Sequence, residues 1–314
     1  MTTPAPTVLF AARAEQWEDY ETPLTAALAE VGLKATLVTE ADPETVDYIV
    51  YSPASPVQDF TPYTRLKAVL NLWAGVEDVV GNETLTVPLC RMVDRGLTEG
   101  MVEWVTGHAL RHHLGMDAHI TGQDGIWRGK VVPPLARDRT IGVLGLGALG
   151  RACARALSAL NFRVVGWSRT AKDIGGVETV TGERGLDTVL ARADILVLLL
   201  PSTASTEAVL DAERIARIRP GAVILNPGRG ALIDDDALLA ALDSGQIGHA
   251  TLDVFREEPL PPTHPFWSHP RVTVTPHIAS ATRPESASRV IAANIARHAR
   301  GGALEHVVDR QAGY

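Results

Sequence analysis

The chain contains very little cysteine: two residues, Cys90 and Cys153, among 314. They stand far apart and form neither a CxxC pair nor any metal-ligand spacing, which excludes a disulfide framework and a cysteine-held metal. Buried thiols in a reducing compartment are the better reading, and no metal site is expected. Long apolar runs are also missing. The longest, Ile195–Leu200, is far too short to cross a bilayer. No basic-plus-apolar export signal starts at Met1, so a soluble cytoplasmic protein without a membrane partner is expected. Nor is there a basic excess: 29 Lys and Arg face 37 Asp and Glu, a net charge of −8. That disfavours nucleic acid as a partner, yet a local cationic pocket could still hold a small anion. Internal repeats and low-complexity segments are absent.

What is present is a long alternation of strand-like and helix-like segments, in a chain long enough for two domains. In the first hundred residues, Thr7–Ala12, Ala35–Val38, Tyr48–Tyr51, Ala68–Trp73 and Pro88–Met92 read as strands, and Pro23–Val31 carries helical spacing. A helix over Thr98–His112 and an irregular Gly/Pro-containing stretch, Gly122–Pro134, follow. A second series begins at Thr140, with strands at Thr140–Leu144, Arg163–Trp167, Ile195–Leu200, Ala222–Leu225, Ala250–Val254 and Val272–Thr275. Helices at Leu149–Leu160, Asp187–Ala193 and Asp234–Asp243 separate them. The near-continuous apolar Ile195–Leu200 suits a central parallel strand buried on both faces. A last amphipathic helix, with Ile291, Ile295 and Ala299 at i, i+4, has no strand after it. It is expected to return to the first domain and make that domain discontinuous. Alternation of this kind predicts α/β architecture with parallel sheets.

Gly145, Gly147 and Gly150 match G-x-G-x-x-G. The pattern is weak alone, but here it follows an apolar strand and opens an alanine- and leucine-rich helix, as a dinucleotide-binding Rossmann unit requires. Gly145, Gly147, Ala148, Leu149 and Gly150 are therefore the expected pyrophosphate loop, at the positive end of the helix dipole. About twenty residues on, the next strand ends in Gly166-Trp-Ser-Arg-Thr170, where an NAD site usually carries an acid. No acid stands there. Ser168, Arg169 and Thr170 offer hydroxyls and a guanidinium suited to a 2′-phosphate, so NADP(H) is expected over NAD(H); a solvated surface arginine is the competing reading. In Leu200-Pro-Ser-Thr-Ala-Ser-Thr206, Pro201 and Thr206 are expected beside the cofactor, although Thr203 and Thr206 could equally cap the following helix.

Three further runs carry chemistry: Asn226-Pro-Gly-Arg-Gly230, Asp253-Val-Phe-Arg-Glu-Glu-Pro-Leu-Pro261 and Thr275-Pro-His-Ile-Ala-Ser280. Each follows an apolar strand, where open α/β sheets place their sites. They supply Arg229, Glu258 and His277: an anion clamp, a carboxylate and a proton donor, the set that reduction of an acidic carbonyl compound needs. Glu257 is an adjacent rival to Glu258.

The ordered set GLGALG, LLLPSTAST, NPGRGALID, LDVFREEPLP and TPHIAS resembles the D-2-hydroxyacid dehydrogenase family over nearly the whole chain. The WSRT segment and the closing residues are most similar to its glyoxylate/hydroxypyruvate reductase group. The resemblance implies two doubly wound parallel-sheet domains, with a Rossmann cofactor domain (99–282) inserted in a flavodoxin-like substrate domain (1–98 and 283–314), and hinges near Thr98 and Thr282. It implies His277 as general acid, Glu258, which directly precedes Pro259, as its hydrogen-bond partner, and Arg229 on the substrate carboxylate. Asp253 would meet the nicotinamide carboxamide, or only cap a turn. Trp73, Ala74, Gly75 and Val76 occupy the substrate loop, and the indole departs from the small residue usual there. It narrows the pocket or packs as a buried side chain. The activity implied is NADP(H)-dependent reduction of a small 2-keto acid, by a homodimer associating through the cofactor domain. A bulkier acid such as phenylpyruvate, and a nucleotide-sensing co-repressor of the same fold, are the alternatives.

Overall fold

The computed structural model describes residues 5–314; the opening residues, read above for an export signal, lie outside them. The chain forms two units, Met1–Leu97 with Ala281–Tyr314, and Thr98–Ser280.

The first unit is built on five parallel strands: β1 (Thr7–Ala11), β2 (Thr36–Val38), β3 (Tyr48–Tyr51), β4 (Ala68–Asn71) and β5 (Leu89–Cys90). Their order, β2-β1-β3-β4-β5, is that of flavodoxin-like sheets. Helices α1 (Ala14–Glu30) and α2 (Glu77–Val80) belong to this unit. Alternate strand residues feed two cores. Val8, Phe10, Tyr48, Val50 and Leu70 face one side, and Leu9, Ala11, Ile49, Tyr51 and Val69 the other.

The second unit holds α3 (Arg95–Leu114, entering from the first), α4 (Met116–Ile120), β6 (Thr140–Leu144), α5 (Ala148–Ala159), β7 (Arg163–Trp167) and β8 (Glu178–Val180). It continues with α6 (Gly182–Arg192), β9 (Ile195–Leu198), α7 (Ala212–Arg217), β10 (Ala222–Asn226), α8 (Asp235–Ser244), β11 (Ile247–Leu252) and β12 (Val272–Val274). The strands are all parallel in the order β12-β11-β10-β9-β6-β7-β8, the doubly wound Rossmann arrangement with one added edge strand. Here too the faces alternate. Leu144, Leu196 and Leu198 pack with α6, α7 and α8 residues, whereas Ile141, Val143, Ile195 and Val197 pack with α3 and α5. Cys90 and Cys153 are buried free thiols, which burial pushes up to about 11 and about 12.

Helix α9 (Pro284–Ala299) returns the chain to the first unit. It explains the largest departure from the sequence reading. Helix α1 begins nine residues before Pro23 and runs through it. A proline inside a helix costs about 3 kcal/mol, but Tyr20, Leu24, Ala27 and Leu28 bury a continuous face against Ala287, Ile291, Ala292 and Ile295 of α9. Tertiary packing offsets the lost hydrogen bond. Smaller corrections concern β8 and α7, which periodicity did not reveal, and α6, which starts five residues before Asp187. Strand β11 runs from Ile247 to Leu252 rather than from Ala250 to Val254. Within it His249 Nε2 lies 2.9 Å from Thr273 Oγ1 of β12.

Candidate active site

Strand β6 ends at Leu144, and the chain turns at Gly145 with φ +102°, a conformation closed to other residues. A Cβ on Gly145 would lie 2.5 Å from the Leu199 carbonyl oxygen, and one on Gly150 would lie 1.8 Å from that of Gly145. These two glycines therefore let strand, loop and first helical turn close on one another. Gly147 differs. Nothing stands within 4 Å of where its Cβ would be, and it is the N-cap of α5 with no side chain to satisfy the helix. Open space in front of the uncapped amides of Ala148 and Leu149 fits a pyrophosphate.

At the end of β7, Ser168 is buried and its hydroxyl donates to the Thr170 carbonyl at 2.7 Å, so it shapes the loop. Arg169 and Thr170 are exposed there. After β9, Thr206 donates to the Pro201 carbonyl at 2.7 Å and accepts from the Thr203 amide at 2.9 Å. The threonines knot this loop and do not cap the next helix: the N-cap of α7 is Asp211, whose carboxylate accepts from Arg214 N–H at 2.8 Å.

Strand β10 closes with Asn226, which is buried. Its Oδ1 accepts from Gly228 N–H at 3.1 Å and its Nδ2 donates to the Arg229 carbonyl at 2.9 Å, so one amide folds the loop that presents Arg229. The Arg229 guanidinium is half-buried and donates to the Gly228 carbonyl at 2.7 Å. Gly230 is where this loop meets the one after β11. A Cβ there would lie 2.0 Å from the Phe255 carbonyl carbon and 2.4 Å from Arg256 N. Only glycine permits that approach.

Glu258 and His277 are brought together by the two loops that follow β11 and β12. His277 Nδ1 lies 2.6 Å from Glu258 Oε2, and Glu258 Oε1 accepts from Phe255 N–H at 2.8 Å. A carboxylate only accepts, so Nδ1 carries the proton. Nε2 has no hydrogen bond among the described residues, and the imidazole is 52% exposed. Glu257 takes no part in this pair. His277 has φ +53°, a left-handed conformation uncommon for a non-glycine residue and associated with functional sites.

Asp253 is fully buried, and its carboxylate accepts from Thr275 Oγ1 (2.5 Å), Ile278 N–H (2.9 Å) and Ala279 N–H (2.9 Å). Three of its about four acceptor positions are thus used on the His277 turn. Of the two readings offered by the sequence, the turn cap is the one the structure displays.

In the first unit, Trp73–Val76 links β4 to α2. Asn71 Nδ2 donates to the carbonyls of Trp73 (3.0 Å) and Gly75 (2.8 Å). Val76 is buried, and Trp73 is 37% exposed.

Sequence reasoning missed Asn226, Thr275 and Arg256, which hold the loops rather than face outward. It also missed a partly buried histidine group on α3 and β11. His112 Nε2 lies 2.9 Å from Thr251 Oγ1, its ring lies 4.8 Å from that of His249, and burial holds the two at about 3 and about 4. The i, i+4 repeat of His108 and His112 was the available signal.

Comparison with known proteins agrees with this geometry. The family described as D-isomer specific 2-hydroxyacid dehydrogenase, NAD binding domain, matches residues 106–279. A glyoxylate/hydroxypyruvate reductase A of Serratia proteamaculans is 41% identical over 87% of this chain and 89% of its own length. Among solved structures, a D-isomer specific 2-hydroxyacid dehydrogenase from Xanthobacter autotrophicus Py2, in complex with NADPH and MES, superposes with a TM-score of 0.91 at 36% identity, covering 99% of this chain and 100% of the other. An NADPH-dependent glyoxylate/hydroxypyruvate reductase from Sinorhizobium meliloti, with NADP and sulfate, gives 0.87 at 37% identity, covering 98% and 100%.

Proposed function

This chain belongs to the D-isomer specific 2-hydroxyacid dehydrogenase family and is an oxidoreductase; from that premise we propose that it reduces a small 2-keto acid of the glyoxylate or hydroxypyruvate type to the D-2-hydroxy acid. The observation that carries the proposal is the Glu258–His277 pair, with Nδ1 engaged at 2.6 Å and Nε2 left open. When bound, a reduced nicotinamide supplies the hydride. His277 Nε2 then gives its proton to the keto oxygen, while Glu258 stabilises the imidazolium and fixes its plane. Arg229 meets the substrate carboxylate and the negative charge that develops on the oxygen. We assign the N–H groups of Ala74, Gly75 and Val76 to carboxylate binding, on the geometry of their own loop, two of whose carbonyls Asn71 engages.

NADP(H) is the coenzyme assigned, with Gly145, Gly147, Ala148, Leu149 and Gly150 at the pyrophosphate and Arg169 and Thr170 at the 2′-phosphate. Two relatives that carry NADP or NADPH support the choice, and no acid stands beside Arg169 to repel a phosphate. Pro201 and Thr206 border the cofactor as a fixed loop. A homodimer is part of the proposal: between α4 and β6, Ile126, Trp127, Val131, Val132 and Leu135 are exposed in one stretch, more apolar surface than a solvated loop needs.

Following NADPH absorbance with a panel of 2-keto acids tests the function. Turnover of glyoxylate or hydroxypyruvate is the expected result. Preference for phenylpyruvate would favour the bulkier-substrate reading that exposed Trp73 supports, and no turnover with any acid would favour a nucleotide-sensing binding module.

A further inference from the structure

Arg256 lies two residues before Glu258 but points away from it. Its Nε and Nη2 donate to the Ile233 carbonyl at 3.0 and 2.7 Å, and Nη2 also reaches the Ala231 carbonyl at 3.2 Å. Its Nη1 pairs with Glu207 at 2.7 Å. The Ala231 carbonyl accepts in addition from Ala208 N–H at 2.8 Å, next to Glu207. One guanidinium therefore laces three loops. The first, 201–210, includes Pro201 and Thr206, the second, 229–233, presents Arg229, and the third, 255–258, presents Glu258. The backbone of the third presses on the second at Gly230, where not even a methyl group would fit. Asp235 feels the Arg256 charge at longer range, and His264 Nε2 lies 3.8 Å from the Asp235 carboxylate.

We propose that Arg256 is a positioning residue for the reaction assigned above, setting the placement of Arg229 and Glu258 together through the Ala231 and Ile233 carbonyls and the Glu207 pair. This rests on the proposed roles of Arg229, Glu258 and His277. The physical reason is that neither loop has regular structure between its strand end and its functional side chain. A planar fork with five donors can hold two carbonyls and a carboxylate at once, whereas an ammonium acts as a single point. With the fork removed, the Phe255 amide that holds Glu258 Oε1 loses its anchor, and Arg229 loses the wall behind it.

The test compares Arg256→Gln, Arg256→Lys and Glu207→Gln with the parent, using NADPH with glyoxylate and with hydroxypyruvate, and records KM and the pH profile of kcat/KM. His277→Gln serves as the control for the reading itself. Arg256→Gln should raise KM for the keto acid about tenfold or more, and move the alkaline limb of kcat/KM to lower pH, because Glu258 no longer stands in place beside the imidazole. Arg256→Lys should recover part of both effects. Glu207→Gln should move both in the same direction by less. A folded Arg256→Gln protein with the parent's KM and limb, beside an inactive His277→Gln, overturns the proposal for Arg256 alone. If Arg256→Gln does not fold, an unchanged limb in Glu207→Gln overturns it. Full activity in His277→Gln overturns the reading of the site instead.

Discussion

Asp253 and His277 are joined at both ends of one turn. The His277 N–H donates to the Asp253 carbonyl at 2.8 Å, while the Asp253 carboxylate accepts from the next two amides, of Ile278 and Ala279. The buried carboxylate thus holds the histidine in a left-handed conformation that a free chain would leave. That conformation in turn aims Nδ1 at Glu258. Strain at His277 is sustained by a carboxylate that never touches the imidazole.

Asp253→Asn tests this arrangement. The amide places an N–H₂ group against donors that need an acceptor, so about 2–3 kcal/mol of stability should be lost. Activity should fall more than tenfold in protein that remains folded, because His277 drifts from its orientation. Thermal melting and kcat, measured side by side, check it; a protein with the parent's kcat would count against the link.

Glu258→Gln keeps the shape of the pair and removes its charge. In the proposed reaction His277 gives its proton from Nε2, and the Glu258 carboxylate at 2.6 Å meets the charge of the imidazolium. The alkaline limb of the reduction rate should therefore move to lower pH, with KM for the keto acid changing far less. His277→Gln should lower kcat/KM by about 10²–10⁴-fold while NADPH binding, followed by fluorescence, stays close to the parent's.

Arg169→Ala addresses the coenzyme. Loss of a guanidinium that pairs with a 2′-phosphate should cut kcat/KM for NADPH by about tenfold to a hundredfold and leave NADH little changed. Initial rates with both coenzymes decide it. An unaltered ratio would return Arg169 to the surface-residue reading.

Acid should weaken the second unit through its partly buried histidines. Burial holds His112 at about 3 and His249 at about 4, while an unfolded histidine titrates near its ordinary value of about 6.5. Below about pH 6.5 the unfolded chain takes up protons that the folded rings refuse, so stability is full above that window and declines as pH falls through it. Each ring contributes at most about 1.4 kcal/mol per pH unit, and less here because both keep some solvent contact. In His112→Gln, melting temperature against pH should be flatter across this window than in the parent; equal slopes would refute the assignment.

Trp127 is 94% exposed in a stretch with Ile126, Val131 and Val132. If this stretch covers a second copy, the chain should sediment as a dimer, and Ile126→Ser with Trp127→Ser should shift it toward monomer at low micromolar concentration. Sedimentation velocity checks both.

The sequence by itself determined the order of elements along each sheet and which side chains stand past the strand ends. Apolar periodicity, the three glycines of 145–150, and Arg229, Glu258 and His277 are local signals: each depends on a strand ending and a loop beginning within a few residues. Only the tertiary structure decided which side chains hold the loops through long-range hydrogen bonds. Asp253 caps the His277 turn, Thr206 knots its own loop, and Arg256, unremarked in the sequence, joins three loops. Trp73 proved exposed, and Pro23 was carried inside a helix by α9. For Asp253, Arg256 and Pro23 the deciding partner lies in another loop or helix, 22 residues away for Thr275 and Asp253 and 49 for Arg256 and Glu207. A hydrogen bond of that range is fixed by how strands stack side by side, which no local pattern encodes.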